Sequence, residues 1–476
     1  MTTELWRLSA GALGRLLAQG EVSAAELLDA ALARVEELDP RINAVVTLND
    51  AARGEAQASD LRRARGQTLG PLDGVPVTVK DNLFARGLRA TWGSPLYADF
   101  VPEEDELPVA RLRAGAGAVV LGKTNVPEFT IEGYTGNRLF GTTRNPWDPR
   151  LTPGGSSGGA VASVAAGLVP LAVGTDGGGS IRRPAAYTGL VGLKPSAGRV
   201  ARVGGFPQLL HDFEVVGPMA RTVEDAALAL RAMAGPDRRD RGSLLAPAAP
   251  GEDRPLEEPP PRLRVLYVPR FGEAPVDPAI RDSCAEAARA LAGLGHAVEE
   301  GPFPVDLEPV YGRWSVLSQV ALARLVAGAP RARELVAPKY LDLADRGAAI
   351  PAADYLGLLE AIGAFRQAVA AAFERWDVVA TPSCAAMPWA ADEAFPPLID
   401  GREAGPRGHA VFSGWVNACG HPGISLPARP SPEGLPIGLH LVGDFGRDWL
   451  LLRLARAYEQ ARPWADRWPA ALSAES

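Results

Sequence analysis

Apolar residues recur at helical spacing through the first part of the chain. Residues 4–38 predict two amphipathic helices, and the second, within VSAAELLDAALARVEEL, follows Ser23, a residue type that commonly caps a helix N-terminus. The charged, alanine-rich stretch 50–65 predicts a further helix. We therefore expect residues 1–65 to form a helical N-terminal part.

From residue 75 onward, short apolar runs alternate with helical patterns. The predicted strands are VPVTVK (75–80), AVVLGK (118–123), PLAVG (170–174) and RLRVLYVP (262–269), with a further strand near His296, and the predicted helices are 105–114, 158–168 and 277–293. Alternating valines place Lys80 at the end of the first strand. Because strands that alternate with helices are typical of layered α/β proteins, we predict an α/β core.

One stretch, residues 235–261, interrupts this pattern. Its sequence, GPDRRDRGSLLAPAAPGEDRPLEEPPP, is rich in proline and charge, which predicts an exposed connection or a surface insertion. The alternation of strands and helices continues on both sides of it. We therefore expect a single domain across residues 1–476.

Composition narrows the class of protein. The chain has 476 residues, of which 47% are apolar and 22% charged, as is typical of globular proteins. A formal net charge of -7 argues against a nucleic acid or an anionic membrane as partner. The N-terminus lacks a basic segment followed by an apolar block, and no run approaches the roughly 18 apolar residues of a membrane span, so we expect a soluble, cytoplasmic protein. Cys284, Cys384 and Cys419 fit neither a zinc template nor a disulfide framework, and we predict no metal and no cofactor.

Lysine is rare in this chain. Only four of the 49 basic residues are lysine, at positions 80, 123, 194 and 339. Arginine, which supplies the remaining positive charge, does not give up its proton, whereas a buried lysine can. Three of the four lysines fall between positions 80 and 194, among the glycine-rich segments described next. Chance explains any one of them, but a lysine that acts as a base would also stand out in this way.

Two short motifs suggest rival chemistries. GAVVLGKT (117–124) matches the phosphate-loop pattern, but its four middle residues have the character of a strand rather than of a flexible loop. GSSGG (155–159) matches the nucleophile elbow with Ser157 as nucleophile, but a proline-rich loop precedes it where that motif requires a strand. For Ser157 we favour the role of a helix N-cap.

A third interpretation takes the glycine-rich segments together. Lys80 ends a strand, GGSSGG occupies 154–159, and GTDGGGS occupies 174–180. Three glycines before Ser180 allow successive backbone N–H groups to point the same way, as in an anion-binding nest or an oxyanion hole beside a nucleophile. The alternative is a plain glycine-rich loop with Ser180 as a helix N-cap, and composition alone favours that alternative.

Several longer sequence segments resemble those of a known family. They are VPVTVKDN (75–82), GKTNVPEF (122–129), LFGTTRNPWD (139–148), TPGGSSGGA (152–160), AVGTDGGGSIRRPAA (172–186), GLVGLKP (189–195), HPGISLP (421–427) and GLPIGLHLVG (434–443). On these segments the chain resembles the amidase signature family, the Ser–cisSer–Lys amide hydrolases, from about residue 5 to about residue 470 and most weakly over 235–400. The resemblance implies an α/β fold with a central mixed β-sheet sandwiched between helices.

The resemblance also implies the site residues. Lys80 matches the catalytic lysine of the family, Ser156 the serine after a cis peptide bond, and Ser180 the nucleophile. The oxyanion hole would be formed by the backbone at Gly177, Gly178 and Gly179 together with the Ser180 N–H, with Asp176 and Arg182 as supporting residues. Gly177 departs from many relatives, which carry a side chain there, but only its backbone is needed. The implied reaction is amide hydrolysis through an acyl-enzyme on Ser180.

Substrate preference is expected to come from variable walls. By position, Thr130, Ile131 and Tyr134 would face the acyl or leaving-group pocket, and Phe412 and Trp415 would supply an apolar or aromatic wall. Such a wall favours an anilide, an aryl amide or an aryl carbamate as the small-molecule substrate. The alternative for the two aromatic residues is packing in the core.

The family contains one rival of a different class, the glutamine-hydrolysing subunit of a tRNA-dependent amidotransferase. That subunit usually carries a Gly-Ser-Ser-Thr-Glu-like run where this chain has EGYTG (132–136), and its usual glutamine-binding arginine region has no match in 330–380. We therefore favour a free-standing amidase. The sequence leaves a homodimer open.

Overall fold

Strands from both halves of the chain meet in one mixed β-sheet. The computed structural model describes residues 4–245 and 254–472. The strands are β1 (Val45–Leu48), β2 (Pro76–Lys80), β3 (Val119–Thr124), β4 (Gly136–Asn137), β5 (Gly141–Thr142), β6 (Leu171–Asp176), β7 (Val191–Lys194), β8 (Val215–Ala220), β9 (Arg264–Tyr267), β10 (Ala297–Glu300), β11 (Val378–Pro382), β12 (Leu398–Ile399), β13 (Arg402–Glu403), β14 (Gly423–Pro427) and β15 (Gly438–Gly443).

Helices alternate with these strands along the chain. The α-helices are α1 (Ala10–Gln19), α2 (Ala24–Ile42), α3 (Ala52–Ala64), α4 (Leu107–Ala110), α5 (Gly158–Ala165), α6 (Arg182–Thr188), α7 (Val223–Met233), α8 (Arg241–Leu244), α9 (Pro278–Gly293), α10 (Glu308–Tyr311), α11 (Trp314–Gly328), α12 (Ala332–Leu335), α13 (Pro338–Ala348), α14 (Ala352–Arg375), α15 (Gly414–Cys419) and α16 (Asp448–Ala461). The predicted strands and the predicted helices 158–168 and 277–293 are present with bounds shifted by a few residues. The predicted helix 105–114 is α-helical only over Leu107–Ala110 and continues as a π-helical turn over Arg111–Gly115.

The main sheet has eleven strands within the described residues, in the order β1-β3-β2-β6-β8-β7-β14-β15-β11-β9-β10. Strands β3, β2 and β6 are parallel to one another, as are β11, β9 and β10, and the middle of the sheet is antiparallel. Strands β2, β6, β8, β14 and β15 are buried at every residue because helices flank the sheet. The predicted α/β fold with a central mixed sheet between helices is confirmed.

The N-terminal part is helical as expected, with one addition. Ser23 caps α2, its hydroxyl accepts from the Glu26 N–H, and the Glu26 side chain accepts from the Ser23 N–H, so the predicted N-cap is confirmed as part of a capping box. The sequence analysis missed β1, which is only four residues long and pairs with β3 at the edge of the sheet. So short an edge strand leaves little periodicity to detect.

The predicted connection 235–261 falls partly outside the described residues, which omit 246–253. Its described end packs on α16, because the backbone carbonyls of Glu258 and Pro259 accept hydrogen bonds from Arg453, at 2.6 Å and 2.7 Å, and the Arg254 carbonyl accepts one from Trp449. Leu256 is buried. This end of the connection is therefore fixed against the domain rather than free in solvent.

Helix α14 is long and apolar enough to cross a membrane by length and composition alone, which the sequence analysis did not expect. In the structure its apolar stripe is used within the fold. Leu358, Ile362 and Phe365 are buried in a hydrophobic cluster that also contains Trp314 and Trp415. The helix therefore packs as a core-facing helix on this side of the sheet.

Candidate active site

Lys80, the first predicted site residue, lies at the carboxyl ends of two neighbouring parallel strands. Lys80 is the last residue of β2, and β6 lies beside β2 with Val79 paired to Val173. Lys80 is fully buried, and its Nζ donates hydrogen bonds to Thr175 Oγ1 at 2.9 Å and to the Thr175 carbonyl oxygen at 3.2 Å. The carboxyl ends of parallel strands are where α/β folds commonly bind ligands.

Ser156 reaches the lysine from the loop that precedes α5. The peptide bond between Gly155 and Ser156 is cis, as the resemblance implies. Lys80 Nζ lies 2.9 Å from Ser156 Oγ. Gly155 is required here because a Cβ at this position would come within 2.3 Å of the Tyr134 carbonyl oxygen. The structure thus joins two predicted site residues that are 76 positions apart in the chain.

Ser180 follows β6 at the end of a glycine turn. It is 7% exposed and lines a cavity whose wall also includes Gly177 and Gly178. The Ser180 carbonyl accepts a hydrogen bond from the Ser157 N–H at 3.2 Å, which ties this turn to the loop that carries Ser156. Three segments of the chain therefore meet around one buried polar site.

The glycine turn uses one of the predicted oxyanion-hole donors for a hydrogen bond of its own. The Gly179 N–H donates to Asp176 Oδ1 at 2.7 Å, so it is already used within the turn. Gly177 and Gly178 face the cavity with Ser180, and Gly179 is not among the residues that line it. Of the four predicted donors, the Gly179 N–H is therefore engaged in the turn, and Gly177, Gly178 and Ser180 are the three residues that line the cavity.

Asp176 and Arg182 form a buried pair behind the turn. Arg182 Nη2 lies 2.9 Å from Asp176 Oδ1, and both side chains are almost completely buried. Burial alone would raise the pKa of Asp176, but the Arg182 guanidinium and the Gly179 N–H hold it well below its usual range. The carboxylate is thus a fixed negative charge that anchors the turn.

Asn417 completes this support and was missed by the sequence analysis. Its Nδ2 donates to Asp176 Oδ1 at 3.0 Å and to the Asp176 carbonyl oxygen at 2.8 Å. Its Oδ1 accepts a hydrogen bond from Arg182 Nη2 at 2.6 Å. Asn417 lies 241 positions from Asp176, and no local pattern in the sequence marks it.

Burial changes the proton affinity of Lys80. Loss of solvation lowers its pKa to about 7, against which the negative charges of Glu214 and Asp176 act to raise it. A neutral amine at this position can accept a proton from the Ser156 hydroxyl, which Arg182 or any other guanidinium could not do. Lys123 and Lys194 are also fully buried, so three of the four lysines lie inside the protein.

The cavity wall agrees only in part with the expected substrate-binding residues. Thr130 and Ile131 line the same cavity as Ser180. Tyr134 does not line it; the Tyr134 hydroxyl accepts a hydrogen bond from Lys339 Nζ at 3.3 Å. Apolar and aromatic wall residues that the sequence analysis missed are Phe129, Leu209, Leu210 and Trp314.

Phe412 and Trp415 lie in the core and do not form the expected pocket wall. Both side chains are completely buried, and neither lines the cavity. Phe412 packs against Phe271 with ring centroids 5.2 Å apart, and Trp415 packs against Phe303 at 4.7 Å. The aromatic wall comes instead from Trp314, which begins α11 in the region of weakest resemblance.

The two rival motifs have structural roles. Residues 119–124 of the phosphate-loop match form strand β3, buried at every position, so no phosphate-binding loop exists there. Ser157 is buried, and it occupies the N-cap position of α5 without capping it, because its hydroxyl donates to the Thr175 carbonyl oxygen at 3.3 Å. The predicted capping bond from Ser157 is therefore wrong, although its position is right.

Comparison with known proteins places the chain in a family. A family model described as Amidase matches residues 26–452. The A subunit of the glutamyl-tRNA(Gln) amidotransferase of Moorella thermoacetica is 36% identical over 496 residues, which cover 98% of this chain and 99% of that protein.

Solved structures agree in fold. A bacterial aryl acylamidase of the amidase signature family superposes with a TM-score of 0.90 and 30% identity, covering 98% of this chain and 99% of that one. The 6-aminohexanoate cyclic dimer hydrolase complexed with substrate gives a TM-score of 0.88 and 31% identity, covering 99% and 100%. These likenesses extend over nearly the whole of each chain. The chain therefore belongs to the amidase signature family.

Proposed function

We propose that this protein hydrolyses the C–N bond of a small carboxylic amide through an acyl-enzyme on Ser180. The observation that carries the proposal is the fully buried Lys80 amine, 2.9 Å from Ser156 Oγ and next to the turn that presents Ser180 to a cavity. A serine hydroxyl needs a base before it attacks a carbonyl, and a desolvated lysine can be that base near neutral pH.

The proposed reaction moves one proton along these residues. Neutral Lys80 accepts the Ser156 proton while Ser156 accepts that of Ser180, and Ser180 Oγ forms a bond to the amide carbon. The N–H groups of Gly177 and Gly178 stabilise the oxyanion. When the C–N bond breaks, Ser156 donates a proton to the leaving amine and regains one from Lys80. Water then attacks the acyl-enzyme with the same residues as base and acid, which releases the carboxylic acid.

Asp176 and Arg182 act in this proposal as positioning residues. The Asp176 carboxylate accepts the N–H groups of Gly179 and Ile181, at 2.7 Å and 3.1 Å, on either side of Ser180. Arg182 neutralises the carboxylate from behind. The nucleophile is thereby held in one orientation without either side chain touching the substrate.

The cavity supports a substrate with an apolar portion. Leu209, Leu210 and Trp314 give one wall of the cavity an apolar and aromatic surface next to Gly178. An anilide, an aryl amide or an aryl carbamate would place its ring against this wall. The similarity to a bacterial aryl acylamidase supports the same class. We propose a free-standing cytoplasmic enzyme of this kind.

The second candidate is the glutamine-hydrolysing subunit of a tRNA-dependent amidotransferase. It is supported by identities of 34–38% to the corresponding subunits of glutamyl-tRNA(Gln) amidotransferases over nearly their whole length. Both candidates use the same reactive residues, so the site geometry does not separate them. They differ in whether the chain acts alone and whether glutamine is its substrate.

A substrate panel separates the two. The purified chain alone is incubated with a short-chain p-nitroanilide, an anilide, an aryl carbamate and glutamine, beside Lys80→Ala, Ser180→Ala and the control Thr68→Ala, which removes an exposed hydroxyl outside the site. We expect turnover of the anilide or carbamate by the wild type and by Thr68→Ala, with a loss of about 10³-fold or more in the other two variants. Hydrolysis of glutamine alone, or of nothing until partner subunits are added, would favour the amidotransferase subunit.

A further inference from the structure

A second cavity lies away from Ser180, where three parts of the chain meet. Its volume is about 690 Å³, and its wall is formed by residues 254–263, the end of α14 and the start of α16. None of its wall residues lines the cavity that Ser180 faces. The segment that the sequence predicted to be an exposed connection therefore contributes, at its described end, to a cavity of the size that small molecules occupy.

The carboxylates on this wall already have basic partners. Three carboxylates line the cavity, and each lies within 4.0 Å of a basic side chain: Glu258 of Arg254 and Arg453, Asp377 of Arg264, and Asp444 of His421. The pair between Asp377 and Arg264 is held by two contacts, at 2.9 Å and 3.2 Å. These acidic side chains are thus engaged with cations other than the two arginines described next.

Arg262 and Arg447 also line the cavity, and they have no partner of this kind. Across residues 4–245 and 254–472, neither guanidinium lies within 4.0 Å of a carboxylate oxygen, and neither donates a hydrogen bond. Arg262 is exposed, and Arg447 is half-buried just before α16. The chain as a whole carries a formal net charge of -7, so two unpaired cations on one wall run against the charge of the molecule. An anion that entered the cavity would be attracted by both.

The same cavity has an apolar surface beside these charges. Phe373 and Trp376, at the end of α14, and Leu450, in the first turn of α16, line it. The two aromatic side chains are each 7% exposed, so most of each ring is packed in the protein and one part borders the cavity. A ligand that fits this wall has a charged group at one end and an apolar or planar part at the other.

We propose that this cavity binds a small organic phosphate, with the phosphate on Arg262 and Arg447 and the planar or apolar part against Trp376 and Leu450. A phosphate monoester carries nearly two negative charges at neutral pH, which matches two unpaired guanidiniums better than a single carboxylate does. The planar fork of arginine also fits the geometry of phosphate oxygens. The site is separate from the proposed amide hydrolysis and does not depend on it.

Titration calorimetry on the full chain tests the site with three probes. They are adenosine 5′-monophosphate, which has a phosphate and a planar ring, adenosine, which keeps only the ring, and inorganic phosphate. We expect saturable binding of the monophosphate, weaker binding of inorganic phosphate, and binding of adenosine at least about tenfold weaker than that of the monophosphate, because adenosine lacks the charge.

Variants of the two arginines assign the binding to this cavity. Arg447→Gln should raise the Kd of the monophosphate by about 10- to 100-fold, and Arg262→Gln by a smaller factor because Arg262 is more exposed. Arg447→Lys keeps a positive charge and should lose less affinity than Arg447→Gln. Arg289→Gln, which changes an exposed arginine of α9 that does not line the cavity, is the matched control and should bind like the wild type.

Circular dichroism of each variant establishes that it is folded before binding is compared. Adenosine that binds as tightly as its monophosphate would overturn the phosphate site, as would undiminished binding in the double variant Arg262→Gln/Arg447→Gln. Binding of inorganic phosphate without binding of the monophosphate would contradict the apolar half of the site. No binding of either phosphate to the wild type would overturn the proposal outright, whatever amide the protein hydrolyses.

Discussion

The lowered pKa of Lys80 results from the residues that surround it in the fold rather than from its neighbours in sequence. It is fully buried between β2 and β6, and its amine contacts only hydroxyl and carbonyl oxygens of Ser156 and Thr175 within hydrogen-bond distance. Lys123 is equally buried but lies 3.6 Å from the Asp81 carboxylate, and Lys339 is paired with Glu132 at the surface. Within the described residues neither Lys80 nor Lys194 has a carboxylate partner. Lys194 donates to the Pro195 carbonyl, whereas Lys80 lies beside the hydroxyls of Ser156 and Thr175.

This environment predicts the pH dependence of hydrolysis. Lys80 accepts a proton in the proposed reaction, so it must be neutral, and burial lowers its pKa to about 7. We expect kcat/KM for a neutral amide to fall about tenfold per pH unit below that pKa and to level off above it. Steady-state rates measured across this range in one mixed buffer check the profile.

Lys80→Arg is the control for charge, since it keeps a cation that cannot release its proton, and it should be inactive throughout the range. Wild-type activity that stays constant down to about pH 5 would show that Lys80 is not the base.

At the scale of elements, the turn between β6 and α6 sets the nucleophile in place. Gly179 has a φ of +108°, and a Cβ at this position would come within 2.3 Å of Ser413 Oγ. Gly178 has ordinary backbone geometry, and a Cβ there would meet only Trp314 Nε1, at 3.9 Å across the cavity. Gly179 is therefore required by its backbone conformation and by the close contact with Ser413, whereas Gly178 borders open space in the cavity.

The two glycines predict different outcomes for the same substitution. Gly179→Ala should lower the free energy of unfolding by about 1–3 kcal/mol, because alanine strains the left-handed backbone and clashes with Ser413. Gly178→Ala should change this free energy by less than about 0.5 kcal/mol, because the added methyl meets open space. Urea denaturation followed by circular dichroism measures both values. Equal destabilisation of the two variants would mean that the turn is not fixed as described.

Helices and strands with a clear hydrophobic period could be predicted from the sequence, whereas features that depend on contacts between distant residues could not. Alternating valines predicted β2, and Ser23 with the helical pattern after it predicted the start of α2. The edge strand β1 is too short to show a period. Gly179 looked like its two neighbours in sequence, and only the folded chain separates it from them, by its φ of +108° and by the hydrogen bond from its N–H to Asp176.

At the scale of the whole molecule, the site collects residues from remote parts of one sheet and its helices. Ser180 follows β6, the cavity wall includes Trp314 from α11, and Asn417 from α15 reaches back to Asp176. The proposed reactive residues could be named from the sequence, because they lie in the segments that most strongly resemble the family. Trp314 and Arg407 lie outside those segments, and only the folded chain places them at the cavity. Conversely, Phe412 and Trp415 were expected at the cavity but lie in the core, which their position in the sequence does not reveal.

This assembly places every reactive group of the proposed reaction within one chain. Lys80 comes from the end of β2, Ser156 from the loop before α5 and Ser180 from the turn after β6. The turn that carries Ser180 is anchored by Asp176 and Asn417 of the same chain. For the free-standing amidase that we propose, we expect the isolated protein to form its acyl-enzyme without other protein components.

The most direct test is to trap that intermediate. The purified chain is mixed with the p-nitroanilide that it turns over best, quenched in acid within the first turnover, digested and analysed by peptide mass spectrometry. We predict an acyl group on Ser180, absent in Ser180→Ala and formed far more slowly in Lys80→Ala. An acyl group on Ser157 or another residue, or turnover with no covalent intermediate on Ser180, would contradict the account.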